Sequence, residues 1–194
     1  MKVKVLWVSA DSSRRKAVVT GCFLRYNEKQ KNRRAAKGEF LMDKWDLRFM
    51  EMADLVSTWA SCWKPDRHIG AVIVKNKRVM TTGYNGAPSG VKPCRDRNEC
   101  RRYKMGIPSG QRQELCYAVH AEQNAIIQAA RLGISIDGAT LYCTHQPCVT
   151  CAKMIVNAGI VRVVYREGYP DAFAMEIFDE AGVTVERMQP QDTQ

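Results

Sequence analysis

His120-Ala121-Glu122-Gln123-Asn124, followed by Pro147-Cys148-Val149-Thr150-Cys151, is the stretch that decides how this chain is read. One histidine and a cysteine pair supply soft nitrogen and sulfur donors for a tetrahedral Zn²⁺. The fourth position stays open, as a catalytic zinc requires and a structural one does not. Glu122, left out of that ligand set, is the obvious proton carrier. Cys148 and Cys151 stand three apart, which turns both thiolates to one side of a helix start. Taken singly, the cysteine pair reads equally as a structural knuckle and His120 as a packed core histidine. Together, each opening a helix after a loop or strand, they point to metal-assisted chemistry.

Working outward, residues 117–132 have a helical pattern that Gly133 is placed to end. That puts His120 and Glu122 in a first turn, where the helix dipole favours an anion or a metal-polarised water. Residues 139–144 read as a strand, 148–158 as a helix, 160–165 as a strand, 171–181 as a helix and 183–187 as a last strand. This alternation implies parallel strands joined by helical crossovers. Upstream, Ile69 to Val74 and Arg78 to Gly83 flank the turn Lys75-Asn76-Lys77 and predict an antiparallel hairpin. Before it, a helix capped by Asp43 carries Trp45, Phe49, Met52, Leu55, Val56 and Trp59 at three- and four-residue steps, a stripe expected to pack in the core. The fold class is therefore α/β, a hairpin followed by parallel strands.

The chain has 194 residues, 45% hydrophobic and 26% charged, which suits one globular domain with an appended segment. A formal charge of +10 suggests nucleic acid until it is located. Residues 1–41 hold eleven Lys/Arg against three Asp/Glu, a balance of +8 that leaves +2 for residues 42–194. The basic segment 1–41 is expected to be a poorly ordered N-terminal extension, and 42–194 the working domain. A polynucleotide substrate is accordingly disfavoured. No apolar run approaches the ~20 residues that cross a bilayer, and Asp11 interrupts the opening apolar stretch before a secretory signal forms. Eight cysteines without such a signal fit metal-bound thiolates in a reducing cytoplasm.

Residues 91–117 form a long irregular stretch that needs a function or an internal clamp. It carries Cys94, Cys100 and Cys116, and with Cys62 these make a candidate closed structural zinc site. The plainer alternative is free or buried thiols acting as small hydrophobes, which is how Cys22 and Cys143 are read. His68 and His145 are assigned surface or hydrogen-bonding roles. Gly83-Tyr84-Asn85-Gly86 is a turn whose Asn85 amide can hold a hydroxyl or phosphate oxygen.

The combination of H-x-E with a later P-C-x-x-C is the known pattern of zinc nucleobase deaminases. In that chemistry Glu122 takes a proton from an activated water, passes it to a ring nitrogen of the base, and protonates the departing amine. The chain further resembles the deoxycytidylate (dCMP) deaminases of bacteria and phages, within the cytidine deaminase superfamily. The marks are Ile69-Gly70-Ala71-Val72-Ile73-Val74, Thr82-Gly83-Tyr84-Asn85-Gly86-Ala87-Pro88-Ser89-Gly90, Gly106-Ile107-Pro108-Ser109-Gly110, the helix from His120, and Ala139 to Cys148. The loop cysteines are similar to those of the bacterial late-competence-operon type. The resemblance implies a three-layer α/β/α fold with a five-stranded mixed sheet, and hydrolysis of dCMP to dUMP and ammonia for thymidylate synthesis. It implies a homo-oligomer, hexamer or dimer, with dCTP and dTTP as effectors. It also implies that Asn85 contacts substrate or effector nucleotide, and it adds weight to an auxiliary zinc at Cys62, Cys94, Cys100 and Cys116. The link from Cys62 to Ile69 is longer than the family's usual one, and residues 1–41 have no counterpart in it.

Two other functions compete. One is a related deaminase acting on a tRNA adenosine or a riboflavin-pathway pyrimidine, against which stand the near-neutral domain charge and the Gly-Tyr-Asn-Gly turn. The other is a non-catalytic nucleotide-sensing accessory of DNA uptake, against which stand the intact His120, Glu122, Cys148 and Cys151.

Overall fold

The computed structural model describes residues 42–108, 110–168 and 171–189. The extension 1–41 and Cys22 lie outside the described residues. Helices are α1 (Lys44–Ser57), α2 (Cys94–Arg97), α3 (Arg101–Lys104), α4 (Ala121–Leu132), α5 (Val149–Asn157) and α6 (Ala172–Glu180). Strands are β1 (Gly70–Lys75), β2 (Arg78–Tyr84), β3 (Thr140–His145), β4 (Arg162–Glu167) and β5 (Thr184–Arg187). The five strands form one sheet in the order β2-β1-β3-β4-β5. β1 runs antiparallel to β2 and β3, while β3, β4 and β5 are mutually parallel. Hairpin and crossovers therefore follow the expected pattern.

Strand alternation divides the core in two. Ala71, Ile73, Leu141, Cys143 and Val163 face α4, α5 and α6, whereas Val72, Val74, Tyr142 and Val164 face α1. The result is the three-layer α/β/α arrangement. Asp43 caps α1, its side chain accepting the Trp45 and Asp46 N–H groups while Asp46 returns to the Asp43 N–H. The buried stripe of α1 is Asp46, Phe49, Met50, Ala53 and Val56. At about 1.5–3 kcal/mol for each large side chain, Phe49, Met50 and Val56 hold the helix on the sheet. Met52, Leu55 and Trp59, expected in that stripe, are exposed instead. The reason is that Asp46 turns inward to pair with Arg162 of β4 at 2.6 Å and with the Tyr142 hydroxyl at 2.7 Å, which rotates the helix face.

Two glycines set the layers. A Cβ on Gly70 would lie 2.0 Å from the Ala53 carbonyl oxygen, and one on Gly83 only 2.1 Å from that of Ala121. Gly83 thereby lets α4 sit directly on β2, where Asn124 Nδ2 donates to the Tyr84 carbonyl at 2.8 Å and Gln128 Oε1 accepts the Thr82 N–H at 3.0 Å. The stretch read as loop contains α2, α3 and a 3₁₀ turn at Gln113–Leu115, each too short for a periodic signal. The lengthened link after Cys62 folds into a further 3₁₀ turn, Pro65–Arg67.

Candidate functional site

Helix α4 begins later than its pattern suggests. Val119 is extended and bridges Gly86, so His120 becomes the N-cap, and its N–H donates to Gln123 Oε1 at 3.1 Å. Cys148 is likewise the N-cap of α5, with φ −74° and ψ 169°, and Cys151 lies one turn inside. Both helix starts point to one spot beyond the strand ends, where α/β sheets collect ligands.

There, His120 Nδ1 lies 3.5 Å from Cys148 Sγ and 3.4 Å from Cys151 Sγ. A tetrahedral zinc with its usual bond lengths to sulfur and nitrogen has S···N edges of about 3.6 Å, so the donors fit the ion without rearrangement. Among the described residues, this is the group of metal-ligating side chains whose donor atoms all fall within 4.8 Å of one another. The hydrogen bond with Cys151 pushes the Cys148 thiol down to about 4 against the opposing effect of burial. The same bond, helped by burial, holds the Cys151 proton on. Both thiols must give up their protons for the pair to bind a divalent cation. His120 is drawn above its ordinary range first by its bond to Cys148, against burial.

Glu122 is 4% exposed beside the triad. Burial raises its carboxyl above the ordinary range, opposed by the charge of His120. A carboxyl whose proton affinity is raised suits a group that must both accept and deliver a proton.

His120, Glu122 and Cys148 line a cleft of about 790 Å³, together with His145, Gln146, Arg102 and Asp171. Asp171 ties two helix starts together, accepting the Val149 N–H at 2.9 Å and the Ala174 N–H at 3.0 Å, and so steadies Cys148 from outside the metal site. Gln146 is anchored through its backbone N–H to the Glu167 carbonyl at 2.7 Å, while its side-chain nitrogen is buried without a partner among the described residues. Burial lowers the pKa of His145, so its ring is neutral at neutral pH, and Nδ1 lies 3.2 Å from Thr144 Oγ1. His68 meets the Cys62 carbonyl at 3.2 Å, in keeping with a hydrogen-bonding role. Nothing in the H-x-E or C-x-x-C spacing marks Asp171 or Arg102, because each arrives from another segment, and Gln146 stands beside Pro147-Cys148 without being part of the spacing.

Asn85 also borders the cleft, but its amide is engaged: Oδ1 accepts the Ile69 N–H at 2.8 Å and Nδ2 donates to the Arg67 carbonyl at 2.7 Å. It braces the wall at Arg67 and has one amide hydrogen left for a ligand. Cys62, Cys100 and Cys116 lie on the same cleft wall. Burial raises the Cys62 thiol and pushes Cys94 up to about 11, and the neighbouring thiols add to both effects, which puts the four within electrostatic reach of one another. They do not draw as close as the triad does. Cys143 is fully buried in the core, as expected.

A three-layer α/β/α fold with an H-x-E and P-C-x-x-C site at its strand ends defines a zinc-dependent deaminase. The family model for the cytidine and deoxycytidylate deaminase zinc-binding region matches residues 43–167, and the chain belongs to that family. It is 37% identical over 152 residues to ComE operon protein 2 of Bacillus subtilis, covering 75% of this chain and 71% of that protein. It is 37% identical to the deoxycytidylate deaminase of Schizosaccharomyces pombe over 75% of this chain but only 44% of the yeast enzyme. The crystal structure of cyanophage S-TIM5 dCMP deaminase in complex with dCMP and dUMP superposes with a TM-score of 0.60 at 36% identity, covering 73% of this chain and 94% of that one. No helix among the described residues is long and apolar enough to cross a membrane.

Proposed function

We propose that the chain hydrolyses dCMP to dUMP and ammonia, feeding thymidylate synthesis. The observation that carries this reading is a buried Glu122 beside a His-Cys-Cys donor set of zinc dimensions, at the edge of one cleft. The cyanophage structure with dCMP and dUMP supports the choice of nucleotide. His120, Cys148 and Cys151 hold the zinc, which supplies a Lewis acid that activates water at neutral pH. Glu122 takes the water proton, delivers it to the ring nitrogen of the base and later protonates the leaving amine. Asp171 holds the start of α5 so that Cys148 keeps its place, and Asn85 fixes the wall beside the nucleotide.

Cys62, Cys94, Cys100 and Cys116 bind a second, structural zinc that pins the 91–117 segment; the place of Cys62, Cys100 and Cys116 along one cleft and the mutual influence of all four thiols support it. The working domain is 42–194, with 1–41 an extension. The protein acts in the cytoplasm as a homo-oligomer, hexamer or dimer, regulated by dCTP and dTTP. Exposed Leu55, Ile127 and Leu132 on α1 and α4 support self-association.

Ammonia release measured side by side with dCMP, CMP, dCTP, cytidine and a tRNA tests the assignment. Turnover restricted to dCMP is expected. Silence on dCMP that persists with added dCTP overturns it, and turnover of the tRNA would transfer the chain to the RNA-editing branch.

A further inference from the structure

The charge of the domain is unevenly spread. Residues 91–117 hold seven Lys/Arg against three Asp/Glu, a balance of +4, so the rest of 42–194 carries −2. Part of that excess is engaged locally. Lys104 pairs with Glu99 and Arg112 with Glu114, while Arg95 donates to the Ala60 carbonyl and Arg102 to that of Pro108. Arg97 and Arg101 keep their charge open. Both guanidinium groups lie against the ring of Tyr117, 4.5 and 5.7 Å from its centroid, and Arg97 is held there by its Nε donating to the Lys92 carbonyl at 3.0 Å. Neither arginine meets a carboxylate among the described residues. Two cations on one ring repel each other, and a bound anion relieves that repulsion.

The arginine pair continues into exposed rings. Asn98, the residue after Arg97, accepts the Trp63 indole N–H through Oδ1 at 3.0 Å. The Trp63 ring lies 6.3 Å from that of Tyr103, and Lys64 Nζ stands 4.9 Å from the Tyr103 centroid. Trp63 and Tyr103 are exposed, and Lys64 meets no carboxylate among the described residues. Cations and rings therefore follow one another along a single contact-linked stripe. A cation tracks a phosphodiester backbone, and an exposed ring stacks on an unpaired base. A duplex hides those base faces, and an acidic peptide offers the rings none.

The geometry points to a binding surface for single-stranded nucleic acid along the stripe from Arg101 through Tyr117, Arg97, Trp63 and Tyr103 to Lys64. Binding there goes beyond the deaminase reading and does not depend on turnover.

The test uses the full-length, zinc-loaded protein and labelled oligo(dT), which has no exocyclic amine to lose, with fluorescence anisotropy read across a salt series. Oligo(U) runs in parallel, and binding of either strand supports the surface. Residues 1–41 are themselves basic, so variants rather than the bare affinity isolate the stripe. Arg97→Gln combined with Arg101→Gln is expected to weaken binding and to flatten the slope of log affinity on log salt by about 1.4, at about 0.7 for each lost phosphate contact. Trp63→Leu is expected to weaken binding about tenfold, with Trp63→Phe recovering part of the loss. The double arginine variant is expected to keep the wild-type melting temperature and dCMP turnover, because neither residue lines the catalytic cleft. No binding of either strand, binding that these variants leave unchanged, or equal competition by a duplex or by poly-glutamate would overturn the surface. Displacement of the strand by dUMP would place it in the cleft instead and overturn the surface as well. If the wild-type protein is silent on dCMP yet binds the strand through Arg97, Arg101 and Trp63, the surface stands while the reaction assignment falls.

Discussion

His120, Cys148 and Cys151 reach one another from two helix N-termini planted on adjoining parts of one sheet, whereas Cys62, Cys94, Cys100 and Cys116 are carried by short turns along an irregular segment. In the first region the backbone directions are set by β2, β3 and the helices on them, and the donors already stand at zinc distances. In the second, α2 and α3 have four residues each, too few to hold a ligand in place by themselves. The difference teaches where metal does work for folding. At the catalytic triad the fold prepares the site for the ion; at the cysteine loop the ion would prepare the fold.

The largest effect that tests this contrast is on Glu122. Glu122→Gln is expected to reduce turnover by about 10⁴-fold while leaving the catalytic zinc bound, measured by ammonia release and metal analysis. Loss of metal in that variant would mean that the triad is not prepared independently of the acid. Next, Gly83→Ala should destabilise the domain by about 1–3 kcal/mol and cut activity, because its new methyl meets the Ala121 carbonyl at 2.1 Å and the Ala125 nitrogen at 2.4 Å. Thermal unfolding together with kcat would show whether the placement of α4 governs the site. An unchanged kcat would detach the chemistry from the sheet.

On the other side of the comparison, Cys100→Ser is expected to lower the zinc content from two per chain to one and to lower the melting temperature by several degrees. Wild-type protein carrying a single zinc per chain would instead make the four loop cysteines ordinary thiols. The smallest expected effect concerns the α1 face. Burial acts to raise the Asp46 carboxyl, but its bonds to Arg162 and Tyr142 outweigh that and hold it below its ordinary value of 3.8. Its contribution to stability is therefore complete above that value and is lost as the pH falls through the lower folded one. Urea midpoints between pH 6 and 2 should show Asp46→Asn losing less stability on acidification than the wild type. Equal acid slopes would remove Asp46 from the account.

Much of the fold was legible because periodicity survives in long elements. The hairpin, the α/β alternation and the caps at Asp43 and Gly133 all lie in local chemistry, and Gly133 does adopt the left-handed conformation with φ 67°. Helix starts were less legible. The pattern beginning at residue 117 hid the bridge between Val119 and Gly86, which is a contact across a gap in sequence. The α1 stripe failed for a related reason, since one inward carboxylate paired with a distant arginine outweighs several apolar residues in setting a helix face.

By itself the sequence determined the His-Cys-Cys group, the proposed proton carrier and the class of chemistry, because these depend on residue type and on spacings of a single helical turn. Only the tertiary structure decided that Asn85 spends its amide on its own wall, that Asp171 steadies the Cys148 helix, and that Gly83 admits α4 onto the sheet. Each of these is a contact between segments far apart in the chain, and no local pattern encodes which side chains will meet there.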